Sequence, residues 1–144
     1  MELRVLSARE ASIFACLTDI VVSPEPVLPP VRETDAVRFF DDWLALMPRL
    51  NRRAMRGLLW MAELGPLLTG FGGRLRSLDR SRRVAWLRSL ERARVPQIRM
   101  VMKLAESSAQ LAYYGDDSLL LRLGYDAEAN LRRGRELRMA EGRP

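Results

Sequence analysis

Apolar side chains recur every three to four residues along most of this chain, and this spacing is typical of amphipathic α-helices. The clearest apolar stripe comprises Leu50, Ala54, Leu58, Met61 and Leu64. We expect this stripe to face the core. No segment shows the polar–apolar alternation of a half-buried strand, and no internal repeat is visible. The sequence therefore predicts an all-α, single-domain bundle of five to six helices.

Capping signals and prolines delimit the first helix. Ser7 and Glu10 have the spacing of a capping box, in which each side chain bonds the backbone N–H of the other. The helix that follows ends near Val22, because the chain then enters a proline-rich connector over residues 23–31. Four prolines in the eight residues from 23 to 30 favour an extended, stiff segment.

The second helix begins at Thr34-Asp35 and runs to about Met47. Pro48 fits the first turn of the third helix, where a missing N–H costs nothing. We expect Gly65-Pro66 to end that helix, since proline interrupts the backbone hydrogen-bond ladder. Asp79 is a plausible N-cap for the fourth helix.

A fifth helix is predicted over residues 97–113. Its apolar side comprises Ile98, Val101, Met102, Ala105, Ala109 and Ala112. Gly115 is expected to end this helix as a left-handed cap, and Gly124 to end a short helix that follows. Residues 1–126 then form the helical domain, and residues 127–144 form a polar tail that is either helical or frayed.

The composition argues against an enzyme. The chain has no histidine and one cysteine, Cys16, so a zinc or iron–sulfur site and a histidine general base are not expected. The acidic pairs Asp41-Asp42 and Asp116-Asp117 are adjacent residues, which do not face each other on a helix. Asp116-Asp117 is better explained as helix capping, and Cys16 as a small buried apolar residue. We expect neither a catalytic site nor a cofactor in this chain.

Positive charge is concentrated in residues 49–103, which hold thirteen Arg and one Lys against three acids, a net charge of +11. This segment could be a solvated surface, or it could bind an acidic protein, a lipid surface or nucleic acid. The glycine-rich turn before the fourth helix is compatible with a helix-turn-helix protein. The arginines show no recognition-helix pattern, so nucleic-acid binding is the alternative hypothesis.

The residues that we expect to contact a partner combine aromatic and arginine side chains, which anchor many protein interfaces. Tyr113 and Tyr114 are adjacent, so one can pack inward while the other points outward, and the outward one is the better candidate. The candidate contacts are Tyr113, Tyr114, Tyr125, Arg49, Arg53, Arg88 and Arg92.

Four segments, in order, resemble the gluconate 2-dehydrogenase subunit 3 family. The first is Leu6-Ser7-Ala-Arg-Glu10, and the second is Leu17-Thr-Asp19 before the prolines. The third is Phe71 followed by Leu78-Asp79-Arg-Ser-Arg-Arg-Val-Ala-Trp-Leu87. The fourth and most specific is Tyr113-Tyr114-Gly-Asp-Asp with Leu123-Gly124-Tyr125-Asp126. The resemblance covers roughly residues 6–126.

The resemblance implies an accessory subunit of a GMC-type alcohol or sugar oxidoreductase, with FAD bound by the large subunit. Such a subunit helps the flavoprotein to fold, remain soluble or be exported, and does not carry the active site. Secreted members carry a twin-arginine signal, and neither that signal nor an apolar span of membrane length is visible here. We therefore expect a cytoplasmic companion of a flavoprotein.

Overall fold

Helix α1 (Ala8–Val22) lies at the centre of the protein and packs against four other helices. The computed structural model describes residues 3–22 and 28–140. The other α-helices in those residues are α2 (Ala36–Leu46), α3 (Arg49–Leu68), α4 (Arg80–Glu91), α5 (Pro96–Tyr114), α6 (Asp117–Arg122) and α7 (Ala127–Ala140). Short 3-10 helices span Val31–Glu33 and Leu75–Ser77.

The predicted all-α fold is confirmed, and the described residues contain no strand. The described residues contain seven helices: the six that the sequence predicts, and α7, formed by the tail that was expected to be either helical or frayed. None of the described side chains of α7 is buried. Most of the proline-rich connector, residues 23–27, lies outside the described residues, as do residues 141–144.

The capping box predicted for α1 is confirmed. The Ser7 hydroxyl accepts from the Glu10 N–H at 3.3 Å, and the Glu10 carboxylate accepts from the Ser7 N–H at 2.9 Å. Leu6, immediately before the box, is buried. These bonds satisfy N–H groups that the first turn of a helix leaves without intrahelical partners.

Two apolar clusters along α1 form the core. In the first, the rings of Phe14 and Phe40 stack with centroids 3.8 Å apart, joining α1 to α2. The buried members of the first cluster are Leu6, Ile13, Phe14, Val31, Ala36, Phe40, Leu44, Met55, Leu59, Ala112, Tyr113 and Leu119. Those of the second are Leu17, Ile20, Ala62, Leu75, Trp86, Leu87 and Met102. The second cluster joins α1 to α3, α4 and α5.

Helix α3 buries a different side from the one that the sequence predicts. Its buried side chains are Met55, Leu59, Ala62, Glu63 and Pro66. The predicted stripe faces outward, with Leu50 78% exposed and Met61 64% exposed. Both sides of α3 carry apolar residues at helical spacing, and the spacing alone does not say which side meets α1.

Helix α3 also continues through Gly65-Pro66 to Leu68, so the predicted end was wrong. A proline inside a helix removes one backbone hydrogen bond. Two backbone hydrogen bonds cap the C-terminal end of the helix after the proline. The N–H of Thr69 donates to the carbonyl of Gly65 at 2.9 Å, and the N–H of Phe71 donates to the carbonyl of Pro66 at 2.8 Å. Because Pro66 itself is buried, packing offsets the missing bond.

The two predicted glycine caps differ. Gly124 has φ +76°, the left-handed conformation expected after α6. Gly115 has φ −79° and ψ −2°, so the left-handed cap predicted there was wrong. Glycine is needed at 115 for space, because a Cβ there would lie 2.7 Å from the carbonyl oxygen of Leu111 and 3.3 Å from the ring of Phe39.

Candidate partner-binding groove

An apolar groove of about 300 Å³ opens between α3 and α5. Both helices pack on α1, whose Leu17 lies at the groove, and α4 supplies further lining. The lining residues are Leu17, Leu58, Met61, Ala62, Gly65, Thr69, Trp86, Leu87, Leu90, Gln97, Ile98, Val101, Met102 and Ala105. Ile98 and Val101, which the sequence predicts on the buried side of α5, are partly exposed here because they form this wall.

Further apolar side chains extend the groove along α3. Leu58 and Met61 belong both to the groove and to the outward stripe, and Leu50, Leu64 and Leu68 are exposed on the same side of the helix. An apolar surface of this kind on a folded chain is characteristic of a binding site. The stripe is visible in the sequence, but its predicted position in the core was wrong.

Trp86 is the most buried aromatic residue of the groove wall, and its indole N–H has no acceptor in residues 3–22 and 28–140. The side of the indole that carries this N–H lies against Gly65, where a Cβ would be 2.7 Å from Cζ2 and 3.3 Å from Cε2 of Trp86. Buried donors usually have an acceptor, so this one calls for an explanation. Gly65 within an apolar helix is the one sequence signal of this close approach.

Many arginines of the basic segment bond groups of the protein itself. Arg76 donates to the Glu63 carboxylate at 3.0 and 3.1 Å, and Arg56 to Glu10 at 2.8 Å. Arg52, Arg83 and Arg99 donate to backbone carbonyls. These arginines stabilise the fold through bonds within the protein. A smaller set of arginines therefore remains to contact a partner.

The four arginines predicted as partner contacts belong to that smaller set. The side chains of Arg49, Arg53, Arg88 and Arg92 make no hydrogen bond or ion pair with any described residue, and the side chain of Arg94 resembles them in this respect. The first two are on the first two turns of α3, and Arg92 and Arg94 are at the turn before α5. Arg88 lines a separate pocket with Glu91 and Lys103.

The three predicted tyrosines are not equivalent. Tyr113 is buried in the first cluster and its hydroxyl donates to the carbonyl of Pro29 at 2.7 Å, so it is not available as a surface contact. Burial raises the pKa of its phenol. Tyr114 meets it edge-on and is partly exposed, as is Tyr125 after α6. Tyr114 is therefore the outward member of the pair. Neither Tyr114 nor Tyr125 lines the apolar groove.

The buried carboxylates bond groups of the fold. Asp41 accepts the backbone N–H groups of Arg4, Val5 and Leu6 at 2.6, 3.1 and 2.7 Å, whereas its neighbour Asp42 pairs with arginines at the surface. The two aspartates thus act separately, as predicted for adjacent helical residues. No sequence signal marks Asp41 as the anchor of the N-terminal segment, because its partners are 35 to 37 residues away.

Glu10 is the second buried carboxylate with several donors. It accepts from Arg56 and from the indole N–H of Trp60, in addition to Ser7. Burial by itself favours a higher pKa, but the hydrogen bonds from Arg56 and Ser7 outweigh burial and lower the pKa of Glu10 below its usual range. The charged carboxylate is therefore the form that the fold stabilises.

The remaining candidate side chains, Asp116 and Cys16, contact groups of the fold. Asp116 accepts from the N–H of Leu119 at 3.4 Å and from that of Asp35 at 3.1 Å, in agreement with the capping role predicted for it. Cys16 is half-buried beside the second cluster, and burial raises the pKa of its thiol. Within residues 3–22 and 28–140, no group of three His, Cys, Asp or Glu side chains has an arrangement that could hold a metal ion.

None of the described helices combines the length and the apolar character needed to span a membrane. No protein-family model, curated protein or solved structure matches this chain.

Proposed function

We propose that this chain is a non-catalytic helical subunit that binds a GMC-type oxidoreductase, with FAD held by that partner. The observation that carries the proposal is the apolar groove between α3 and α5, together with the outward apolar stripe of α3. Water contact with such a surface is unfavourable, and a partner that covers it removes that contact. The resemblance to gluconate 2-dehydrogenase subunit 3 proteins supplies the class of partner.

The segments that carry the resemblance have structural roles in this chain, which supports an accessory subunit. Ser7 and Glu10 form the cap of α1, and Asp79 caps α4 by accepting the Arg82 N–H at 2.9 Å. Tyr113 bonds Pro29 across the core, and Gly124 ends α6. Residues of the first, third and fourth segments thus stabilise the fold, and none of these contacts requires a substrate.

The proposal is tested by affinity purification of the tagged chain from its native host. The expected result is a stoichiometric second protein that is a GMC-type oxidoreductase and gives the absorption spectrum of bound FAD. Recovery of the tagged chain without any flavoprotein, under conditions in which the flavoprotein is expressed, would overturn the proposal. A gene for such an enzyme beside the gene for this chain would give independent support.

Titration with duplex DNA at low and high salt tests the alternative of nucleic-acid binding. Binding through the basic segment would fall steeply as salt rises, because each neutralised phosphate releases a counterion. The proposal predicts no such binding. Tight, salt-dependent DNA binding without a flavoprotein partner would favour the alternative.

A further inference from the structure

We infer that the groove between α3 and α5 binds one amphipathic helix of the partner, with an acidic side that faces the arginines around the groove. The inference rests on the proposed function and adds the chemistry of the segment that binds. Two observations lead to it: the length of the apolar surface and the sign of the charges near it.

The length of the surface fits a helix better than a compact ligand. The outward stripe of α3 runs from Leu50 to Leu68, which at 1.5 Å per residue is about 27 Å, or five helical turns. On the other side of the groove, Ile98, Val101 and Ala105 recur at helical spacing along α5. A helix with apolar residues on one side can lie between two such walls.

The charges around the groove are positive. Arg92 and Arg94 are at the turn that leads into Gln97 and Ile98 of the groove wall, and Arg49 and Arg53 are near Leu50 at the start of α3, outside the groove lining. The guanidinium groups of these four arginines bond no described residue. Positive charges attract an acidic partner and repel a basic one, so we expect the occupant to be acidic.

None of the three acids of the basic segment lines the groove. Glu63 is buried and paired with Arg76, and Asp79 caps α4. Glu91 lines the separate pocket that also contains Arg88 and Lys103. Negative charge from this segment therefore does not offset the arginines that flank the groove.

The indole N–H of Trp86 gives the inference a local marker. It lies beside Gly65 in the groove wall and lacks an acceptor in the described residues. The nitrogen itself is buried, so an occupying helix would cover the groove wall without bonding the N–H. Its proton would instead report the change in packing around Trp86, which lines the groove.

Helix α7 of a second copy is a poorer occupant, although it too has exposed apolar side chains at Leu131, Leu137 and Met139. Residues 127–140 contain four arginines and two glutamates, so the helix carries a net charge of +2. Like charges around the groove disfavour it. Self-association is therefore an outcome that the experiment must separate from the inferred one.

The first test uses three synthetic 18-residue peptides and the full chain. One has leucines at helical spacing and glutamates elsewhere, the second replaces the glutamates with lysines, and the third scrambles the leucines of the acidic peptide. Binding is followed by NMR of the indole N–H groups of Trp43, Trp60 and Trp86. We expect the acidic amphipathic peptide alone to bind and to shift the Trp86 proton, because Trp86 lines the groove. The Trp60 proton, which already donates to Glu10, should move little.

Two matched variants locate the binding site. Met61→Glu places a negative charge in the groove, and Met139→Glu makes the same change at an exposed position on α7. We expect Met61→Glu to weaken acidic-peptide binding about tenfold or more, since like charges at an interface are unfavourable, and Met139→Glu to leave it unchanged. Arg53→Glu should also weaken binding of the acidic peptide. Because salt screens charges, added salt should reduce the difference in peptide affinity between Arg53→Glu and the unaltered chain.

Several outcomes would overturn the inference. Equal binding of the lysine peptide would show that charge does not select the occupant, and an unshifted Trp86 proton at saturation would place the peptide elsewhere. A Trp86 shift that depends on protein concentration without peptide would identify a second copy as the occupant. Undiminished peptide binding by Met61→Glu would exclude the groove.

The same two variants, used as baits in the native host, separate this inference from the proposed function. If Met61→Glu recovers as much flavoprotein as Met139→Glu, the groove inference fails and the proposed function stands. If the unaltered chain recovers no flavoprotein, the proposed function fails, and the peptide experiment still decides what the groove binds.

Discussion

The Glu10 carboxylate lies 2.8 Å from the Nε atom of Arg56 and joins the first turn of α1 to α3. The carboxylate is buried, whereas the guanidinium is partly exposed, so the pair lies at the edge of the core. Glu10 also completes the α1 capping box, and one side chain thus fixes both the start of a helix and its packing against another.

We predict that Glu10→Gln destabilises the protein by about 1–3 kcal/mol at pH 7, the usual cost of losing hydrogen bonds to a buried charged group. The pKa of Glu10 is lowered in the folded protein, so its stabilisation is present above the ordinary carboxyl pKa of about 4.3. It is lost as pH falls through the lower folded pKa. Urea unfolding measures the free energy of unfolding of Glu10→Gln and of the unaltered protein. The difference between the two should be smaller at pH 3 than at pH 7. A difference independent of pH would contradict this account.

Asp41→Asn should loosen the N-terminal segment. The carboxylate accepts three backbone N–H groups, and an asparagine would present an NH₂ group to at least one of them. We expect a loss of about 1–3 kcal/mol and faster amide hydrogen exchange at Val5 and Leu6. Asp42→Asn is the matched control and should change stability by less than about 0.5 kcal/mol, because its ion pairs are exposed. Equal losses of stability in Asp41→Asn and Asp42→Asn would contradict the role of Asp41 as the anchor of the N-terminal segment.

Gly65→Ala should destabilise the protein although alanine favours helices. The added Cβ would lie 2.7 Å from Cζ2 of Trp86, so α3 and α4 would have to separate or the indole would have to turn. We expect a loss of about 1–3 kcal/mol and a changed Trp fluorescence spectrum. Gly57→Ala, where a Cβ meets nothing within 4 Å, should instead stabilise α3 by about 0.5–1 kcal/mol. Thermal unfolding should show a lower melting temperature for Gly65→Ala and a higher one for Gly57→Ala than for the unaltered protein.

Tyr113→Phe should remove the hydrogen bond to the Pro29 carbonyl without altering the ring packing. We expect the loss of this partly buried hydrogen bond to cost about 0.5–1.5 kcal/mol. Tyr114→Phe should have a negligible effect, because its ring is partly exposed. If chemical denaturation shows equal stability for the two variants, the hydroxyl of Tyr113 does not hold the segment around Pro29 against α5.

Local signals predicted the helix starts well, because a cap depends on residues three positions apart. The Ser7–Glu10 box and the Asp79 cap were found in this way. Predictions about which side of a helix is buried were less secure. Helix α3 has apolar residues on two sides, and contact with α1 decides that Met55 and Leu59 are buried while Leu50 and Met61 are not.

The sequence by itself determined the all-α class, most helix boundaries and the basic character of the middle segment, because these follow from periodicity, caps and composition. Only the tertiary structure decided which arginines remain unpaired and which tyrosine of the pair is buried, since both depend on partners far along the chain. The groove also belongs to the tertiary structure: α3 and α5 pack on α1 and leave between them an apolar surface that neither helix reveals alone.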